Sequence, residues 1–245
     1  IYRRLIRYAK DYNSGRFVTV VSNEIFDRLE NDESLLGDIP TWNDYTGTWH
    51  GKSREETPDK LALINNRALK EQPLLFTRYG KSEPRLVGAD ARRVVEMTYH
   101  YDQWAKNKFI IGVIYFSLND YRTHVGEAGF GRYKSRVHGL SSMWFDKKPS
   151  FQVYKGLAAP IYVENLHIRA SGKEAQVVLK VKDDLPSYTL RKYTVCWKTV
   201  TGMKKLELPD LKPGERYTFE IDGLDPLSRP DVKIFRPTGY LVTEY

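Results

Sequence analysis

Phe109-Ile110-Ile111-Gly112-Val113-Ile114-Tyr115-Phe116, followed without a break by Ser117-Leu118-Asn119-Asp120-Tyr121-Arg122-Thr123-His124, is the stretch on which the fold turns. The first eight residues are the most apolar run in the chain. Their length and β-branched, aromatic character mark a strand, and the absence of polar alternation implies a strand covered on both faces, as in a parallel sheet. Polar, chemistry-bearing residues come directly after its C-terminal end, where parallel βα folds carry their functional groups.

The same grammar continues upstream. Ala91 to Lys106 reads as a helix, Pro73-Leu74-Leu75-Phe76-Thr77 as a strand, and a helix opens near Thr57-Pro58 with proline in its first turn and runs through Leu61, Ile64 and Leu69. Before it lies an extended stretch ending in Pro40-Thr41-Trp42-Asn43-Asp44-Tyr45, and a short helix around Ile25 to Leu29. Phe17-Val18-Thr19-Val20-Val21 is expected to be a buried strand. Tyr2, Leu5, Ile6 and Ala9 recur at helical spacing, and Asn13-Ser14-Gly15 stops that helix. Helix and strand in alternation over residues 1–157 imply parallel βα units.

After Leu157 the texture changes. Val177, Leu179 and Val181 alternate with polar residues, as do Tyr193, Val195 and Trp197, then Leu206 and Leu208, then Tyr217, Phe219 and Ile221. Turn signals at Ser171-Gly172, Leu185-Pro186-Ser187, Thr201-Gly202 and Lys212-Pro213-Gly214-Glu215 separate them, so residues 158–245 are expected to form an antiparallel sandwich. The fold class is therefore α/β plus all-β.

Composition narrows the function classes. A single cysteine, Cys196, excludes an internal disulfide framework and a cysteine-rich zinc site. No run approaches the length of a membrane-spanning helix. The net charge of +8 raises the question of a polyanionic partner, but residues 158–245 hold 14 Lys and Arg against 12 Asp and Glu, leaving 25 against 19 in residues 1–157. An excess spread this evenly is a solvated basic surface and not a nucleic-acid stripe. His124 and His138 lack the close carboxylate–histidine spacing of a metal site. Gly126 to Gly131 is glycine-rich but opens no helix, so it is not a phosphate cradle. The chain opens on Ile1 and a charged amphipathic helix without a signal-peptide core, and residues upstream of it are expected.

Several segments, in order, resemble the later barrel strands of glycoside hydrolase family 2, the β-galactosidase and β-glucuronidase family. Arg16 to Asn23 resembles the fifth strand. Trp42-Asn43-Asp44-Tyr45 with Trp49 is similar to the sixth-strand segment, and Gln72 to Pro84 to the seventh. Val113 to His124, with Arg136-Val137-His138-Gly139-Leu140 and Lys148-Pro149-Ser150, resembles the eighth. The resemblance implies the second half of a (β/α)8 TIM barrel over residues 1–157 and an immunoglobulin-like β-sandwich over 158–245. It implies a carbohydrate ligand and no cofactor.

The family's chemistry needs two carboxylic acids, about 5 to 5.5 Å apart in retaining enzymes, one protonating the leaving oxygen and the other attacking the sugar C1. The strand that carries the acid has no counterpart in this sequence. The nucleophilic Glu of a Ser-Glu-Tyr-Gly-like motif falls where this chain reads Thr77-Arg78-Tyr79-Gly80. A guanidinium has no lone pair with which to attack and stays protonated. Glu83 is near, but the matching Glu-Pro of the family follows its nucleophile. Asn23-Glu24 imitates the acid's Asn-Glu pair but ends the strand matching the fifth and not the fourth.

The resemblance further implies that Trp42, Asn43, Tyr45, Tyr79 and Phe116 line a sugar cleft, Phe116 falling where some relatives place a tryptophan platform. Asn119, Asp120, Arg122 and His124 either line that cleft or hold the loop after the strand. Four strands cannot close a barrel, so the missing half is expected from upstream residues or from a second chain. Two functional readings follow: a glycoside hydrolase fragment acting on β-linked glycosides, or a catalytically inactive, hydrolase-derived carbohydrate-binding or interaction protein.

Overall fold

The computed structural model describes residues 1–12, 15–82, 89–124 and 134–245. Helix α1 (Tyr2–Tyr12) and the single-turn α2 (Ile25–Arg28) precede a three-stranded parallel sheet. Its strands are β1 (Thr41–Asp44), β2 (Leu74–Tyr79) and β3 (Ile110–Tyr115), in that order across the sheet. Between β1 and β2 runs α3 (Thr57–Ile64), which widens into a π-helical turn at Asn65–Leu69 and ends at Lys70 in the left-handed region. A capping box in which Ser53 and Glu56 satisfy each other's backbone N–H groups starts the run, and Pro58 lies in the first turn. Helix α4 (Ala89–Ala105) joins β2 to β3.

The apolar core of this unit lies between sheet and helices. Phe76 packs its ring 5.5 Å from that of Trp42 and 4.6 Å from that of Trp104 on α4, while Tyr79 meets Trp104 at 4.5 Å and Tyr115 at 5.1 Å. Leu61, Ile64, Leu69 and Leu74 are buried. Burying such side chains contributes about 1.5–3 kcal/mol each before the entropy of ordering them is charged. By contrast, among the described residues β3 pairs only with β2, and Ile111 and Ile114 remain about half exposed.

Phe17 to Val21 departs from expectation. The segment runs beside β1 in the parallel sense, tied by Asp38 N–H to the Val18 carbonyl, the Thr41 hydroxyl to the Val20 carbonyl and Asn43 N–H to the Ser22 carbonyl. It nevertheless forms no strand ladder, and Phe17 and Val21 are exposed. Alternate residues bond to side chains instead of backbone, so the pairing stays incomplete.

Beyond β3, the short strands β4 (Tyr121–Arg122) and β5 (Ser135–Arg136) pair antiparallel, with Tyr121 opposite Arg136. Helix α5 (Pro149–Leu157) follows. Arg93 of α4, only 2% exposed, ties this region together: its guanidinium is ion-paired with Asp90 and donates to the carbonyls of Lys81 and Val137. Asp90 in turn accepts from the Ser150 N–H and hydroxyl at the start of α5.

The chain divides into two units, Ile1–Tyr154 and Lys155–Tyr245. The second is all antiparallel. One sheet holds β6 (Ile161–Ile168), β7 (Ala175–Val181) and β10 (Arg216–Ile221) in the order β10-β7-β6. The other holds β8 (Thr194–Thr199), β9 (Gly202–Glu207), β11 (Val232–Phe235) and β12 (Leu241–Glu244) in the order β12-β11-β8-β9. Both sheets send residues into one core, with Val177 and Leu179 from the first and Val195, Val232 and Ile234 from the second. The alternation of buried and half-buried positions along β7 follows directly from the period-two pattern in the sequence.

Candidate functional site

The C-terminal ends of the parallel strands and the loops that leave them gather an aromatic and cationic cluster. Tyr45, just past β1, packs its ring 4.4 Å from that of Trp49. Arg78, the exposed residue near the end of β2, lays its guanidinium over Phe116, 4.9 Å from the ring centre. Phe116 follows β3, and its ring meets Tyr121 at 5.9 Å and His138 at 5.7 Å. His138, fully buried, also packs 5.1 Å from Trp49, so one imidazole joins the two halves of the cluster. Arg136, held opposite Tyr121 by the β4–β5 pairing, stacks over Trp49 at 5.4 Å.

The sequence builds this locally. Gly80 passes so close to the Phe116 carbonyl that a Cβ there would overlap the oxygen, and this approach lets the Phe116 N–H donate to the Tyr79 carbonyl at 2.8 Å. Arg78 and Phe116 are thereby held side by side. Below them, Asn43 donates to the Asn23 side chain and accepts from the Thr77 hydroxyl, fixing the strand ends to the segment before α2.

Electrostatically the cluster is positive. Burial pushes the Tyr45 phenol up to about 12, with Arg78 and Arg136 pulling it down and Tyr121 pushing it up, so both guanidiniums are felt at one hydroxyl. Tyr45 therefore stays protonated at neutral pH and can donate a hydrogen bond. Among the described residues no carboxylate forms an ion pair with Arg78. Nor does any group of three or more His, Cys, Asp and Glu among them suit a metal ion.

The expected site residues divide. Arg78, Tyr45 and Phe116 lie together, and Asn43 supports them from beneath. Trp42 and Tyr79 do not line the mouth: both are buried on the helix side of the sheet, against Phe76 and Trp104. Register shifts between Trp42 and Asn43 and between Phe76 and Tyr79 decide which side chains face which layer, and simple alternation misses them.

Asp120 holds the loop. Its carboxylate takes both oxygens to Lys148 at 2.8 Å and accepts the Gly139 N–H, while Lys148 also donates to the Gly139 carbonyl. Asn119 donates to the Asp120 carbonyl and bridges to Ser141. Arg122 and His124 are exposed on and just beyond β4. Glu24 is the exposed first residue before α2 and pairs with Arg28. Glu83 and the glycine-rich segment 126–131 lie outside the described residues. Tyr121 and Arg136 are the members that the sequence does not single out, although both stand inside the segments that carry the resemblance; Trp49 belongs to the sixth-strand aromatic segment, and the sequence raises His138 only as a metal ligand.

No family model and no curated protein matches this chain. Solved structures do. An FMN-binding β-glucuronidase from Faecalibacterium prausnitzii L2-6 aligns over 100% of this chain and 36% of its own, at 15% identity and TM-score 0.52. Bacteroides uniformis β-glucuronidase 2 aligns over 100% of this chain and 30% of its own, at 15% identity and TM-score 0.51. Ruminococcus gnavus β-glucuronidase covers 63% of this chain and 28% of its own, at 16% identity and TM-score 0.53. The chain thus shares the fold of part of these β-glucuronidase structures. The chain spans about a third of the length of these neighbours.

Proposed function

We propose that this chain is part of a family 2-type glycoside hydrolase scaffold, half TIM barrel and immunoglobulin-like sandwich, that recognises β-linked glycosides at the ends of β1, β2 and β3. In it Arg78 stands in the place of the nucleophilic carboxylate. Such a protein binds a glycoside without the double displacement, because a permanently protonated guanidinium cannot form the glycosyl ester and opposes the positive charge that develops at C1. The observation that carries this reading is the position of Arg78, exposed at the end of its strand and stacked on Phe116 among Tyr45, Trp49 and Tyr121. Aromatic faces of this kind cover the apolar C–H faces of a sugar ring.

The open side of β3, with Ile111 and Ile114 half exposed, supports a further part of the same reading: another strand, from the remainder of a longer chain, lies along it. The test is direct. Full-length protein should bind methyl β-glycosides in calorimetry and leave nitrophenyl β-glucuronide and β-galactoside intact. Arg78→Glu should create retaining hydrolysis where an upstream acid is present. Turnover by the unaltered protein that disappears on removing one of its carboxylates would instead establish the hydrolase.

A further inference from the structure

We propose that the sugar this site takes carries an acidic group on its anomeric carbon, and that Arg78 holds that group. The inference rests on the glycoside-binding reading above, which puts residue 78 beside C1. There a cation disfavours a neutral glycoside on its way to an oxocarbenium ion but complements a fixed anion at the same carbon. The geometry suits that task. A guanidinium placed over an aromatic ring, as Arg78 is over Phe116 at 4.9 Å from the ring centre, is positioned by that ring, and its planar N–H fork can engage two oxygens of one anion. Among the described residues no carboxylate forms an ion pair with it.

Tyr45 belongs to the same cluster as Phe116, linked to it through the rings of Trp49 and His138. Its buried phenol is close enough to Arg78 and Arg136 to feel both charges and remains a donor at neutral pH. A guanidinium fork and a phenolic O–H in one cluster supply donors for phosphate or carboxylate oxygens. The ligand class is accordingly a glycosyl phosphate or a sugar acid with its carboxylate at the anomeric position, two sources of the same anionic chemistry.

Calorimetry on the full-length protein separates the outcomes. The probes are the β-1-phosphates of glucose and galactose, the matching 6-phosphates, glucuronate, methyl β-glucoside and methyl β-galactoside, and N-acetylneuraminate for the carboxylate source. At least one anomeric anion should bind tenfold or more tightly than the corresponding methyl glycoside and 6-phosphate. Arg78→Gln should abolish that advantage and Arg78→Lys retain part of it, with the fold intact and thermal unfolding lowered only by the small loss of the contact with Phe116. A 6-phosphate or glucuronate that binds as well as the anomeric anion, or an advantage that survives Arg78→Gln, overturns the proposal. Methyl glycosides bound with no gain from any anomeric anion overturn it while leaving the glycoside reading standing. Failure of every sugar to bind removes both.

Discussion

The guanidinium of Arg78 lies 4.9 Å from the centre of the Phe116 ring, joining the end of β2 to the residue that follows β3. Cation–π pairs at exposed positions stabilise by about 0.5–1 kcal/mol. Phe116→Leu should therefore lower stability by roughly that amount plus a smaller packing loss, and should free the Arg78 side chain from its fixed orientation. Urea unfolding of Phe116→Leu, Arg78→Met and the double variant forms a cycle. A coupling energy near zero would show that the two side chains do not support each other in solution.

Arg78 and Phe116 were legible in the sequence because each stands at or just past the end of a recognisable apolar strand. The parallel sheet and the sandwich were legible for a simpler reason: period and punctuation survive in a single sequence. Trp42 and Tyr79 were not. In strands buried on both faces, aromatic residues point either way, and the irregular register of β1–β2 and β2–β3 shifts the parity that would have told core from mouth. Phe17 to Val21 has strand composition, but composition does not reveal that its neighbours in β1 would offer a side-chain hydroxyl where a ladder needs a backbone group. Arg136 escaped notice because only the pairing of β4 with β5 brings it across from Tyr121.

Tyr45 supplies a prediction in pH. Its phenol is raised from 10.0 to about 12 in the folded protein, chiefly by burial. A raised pKa means that the folded form keeps its proton after the unfolded form has lost it. The associated stability is fully present below pH 10 and is lost as pH climbs toward 12, up to about 3 kcal/mol for two pH units. Burial raises the phenols of Tyr79, Tyr115 and Tyr154 as well, and they act in the same direction. Alkaline unfolding should accordingly be steep between pH 10 and 12, and Tyr45→Phe should make it shallower. An unchanged slope in urea titrations across that range would count against the burial of Tyr45.

Asp120 and Lys148 give a prediction about the loop. Both are largely buried, and Lys148 closes the loop by reaching Asp120 and the Gly139 carbonyl together. Lys148→Met leaves a carboxylate with only the Gly139 N–H among the described residues, and should cost about 2–4 kcal/mol; Asp120→Asn combined with Lys148→Met should cost less than the single change, because no charge is left uncompensated. His138 directly precedes Gly139 and Arg136 lies two residues further back, so the single variant should also weaken the glycoside binding proposed above. Hydrogen exchange at Gly139 and Ser141 reports the loop opening. Equal costs for the single and the double variant would mean that the pair is solvated and has no structural role.

Arg93 sets the largest stability effect expected in the βα unit. Its guanidinium is almost fully buried, and its contacts reach the loop after β2 through Lys81, the loop before Gly139 through Val137, and the start of α5 through Asp90 and Ser150. Asp90→Ala strands a buried cation and strips two hydrogen bonds from Ser150, so a loss of about 3–5 kcal/mol is expected. Arg93→Met fills similar volume without charge. It leaves Asp90 bonded to Ser150 and the two carbonyls unpaired, for a loss of about 2–3 kcal/mol. The ordering Asp90→Ala worse than Arg93→Met, read from urea midpoints of the full-length protein, follows from the asymmetry between a stranded charge and an unmade hydrogen bond. The reverse ordering would place the stabilising contribution in the carbonyl contacts and not in the ion pair.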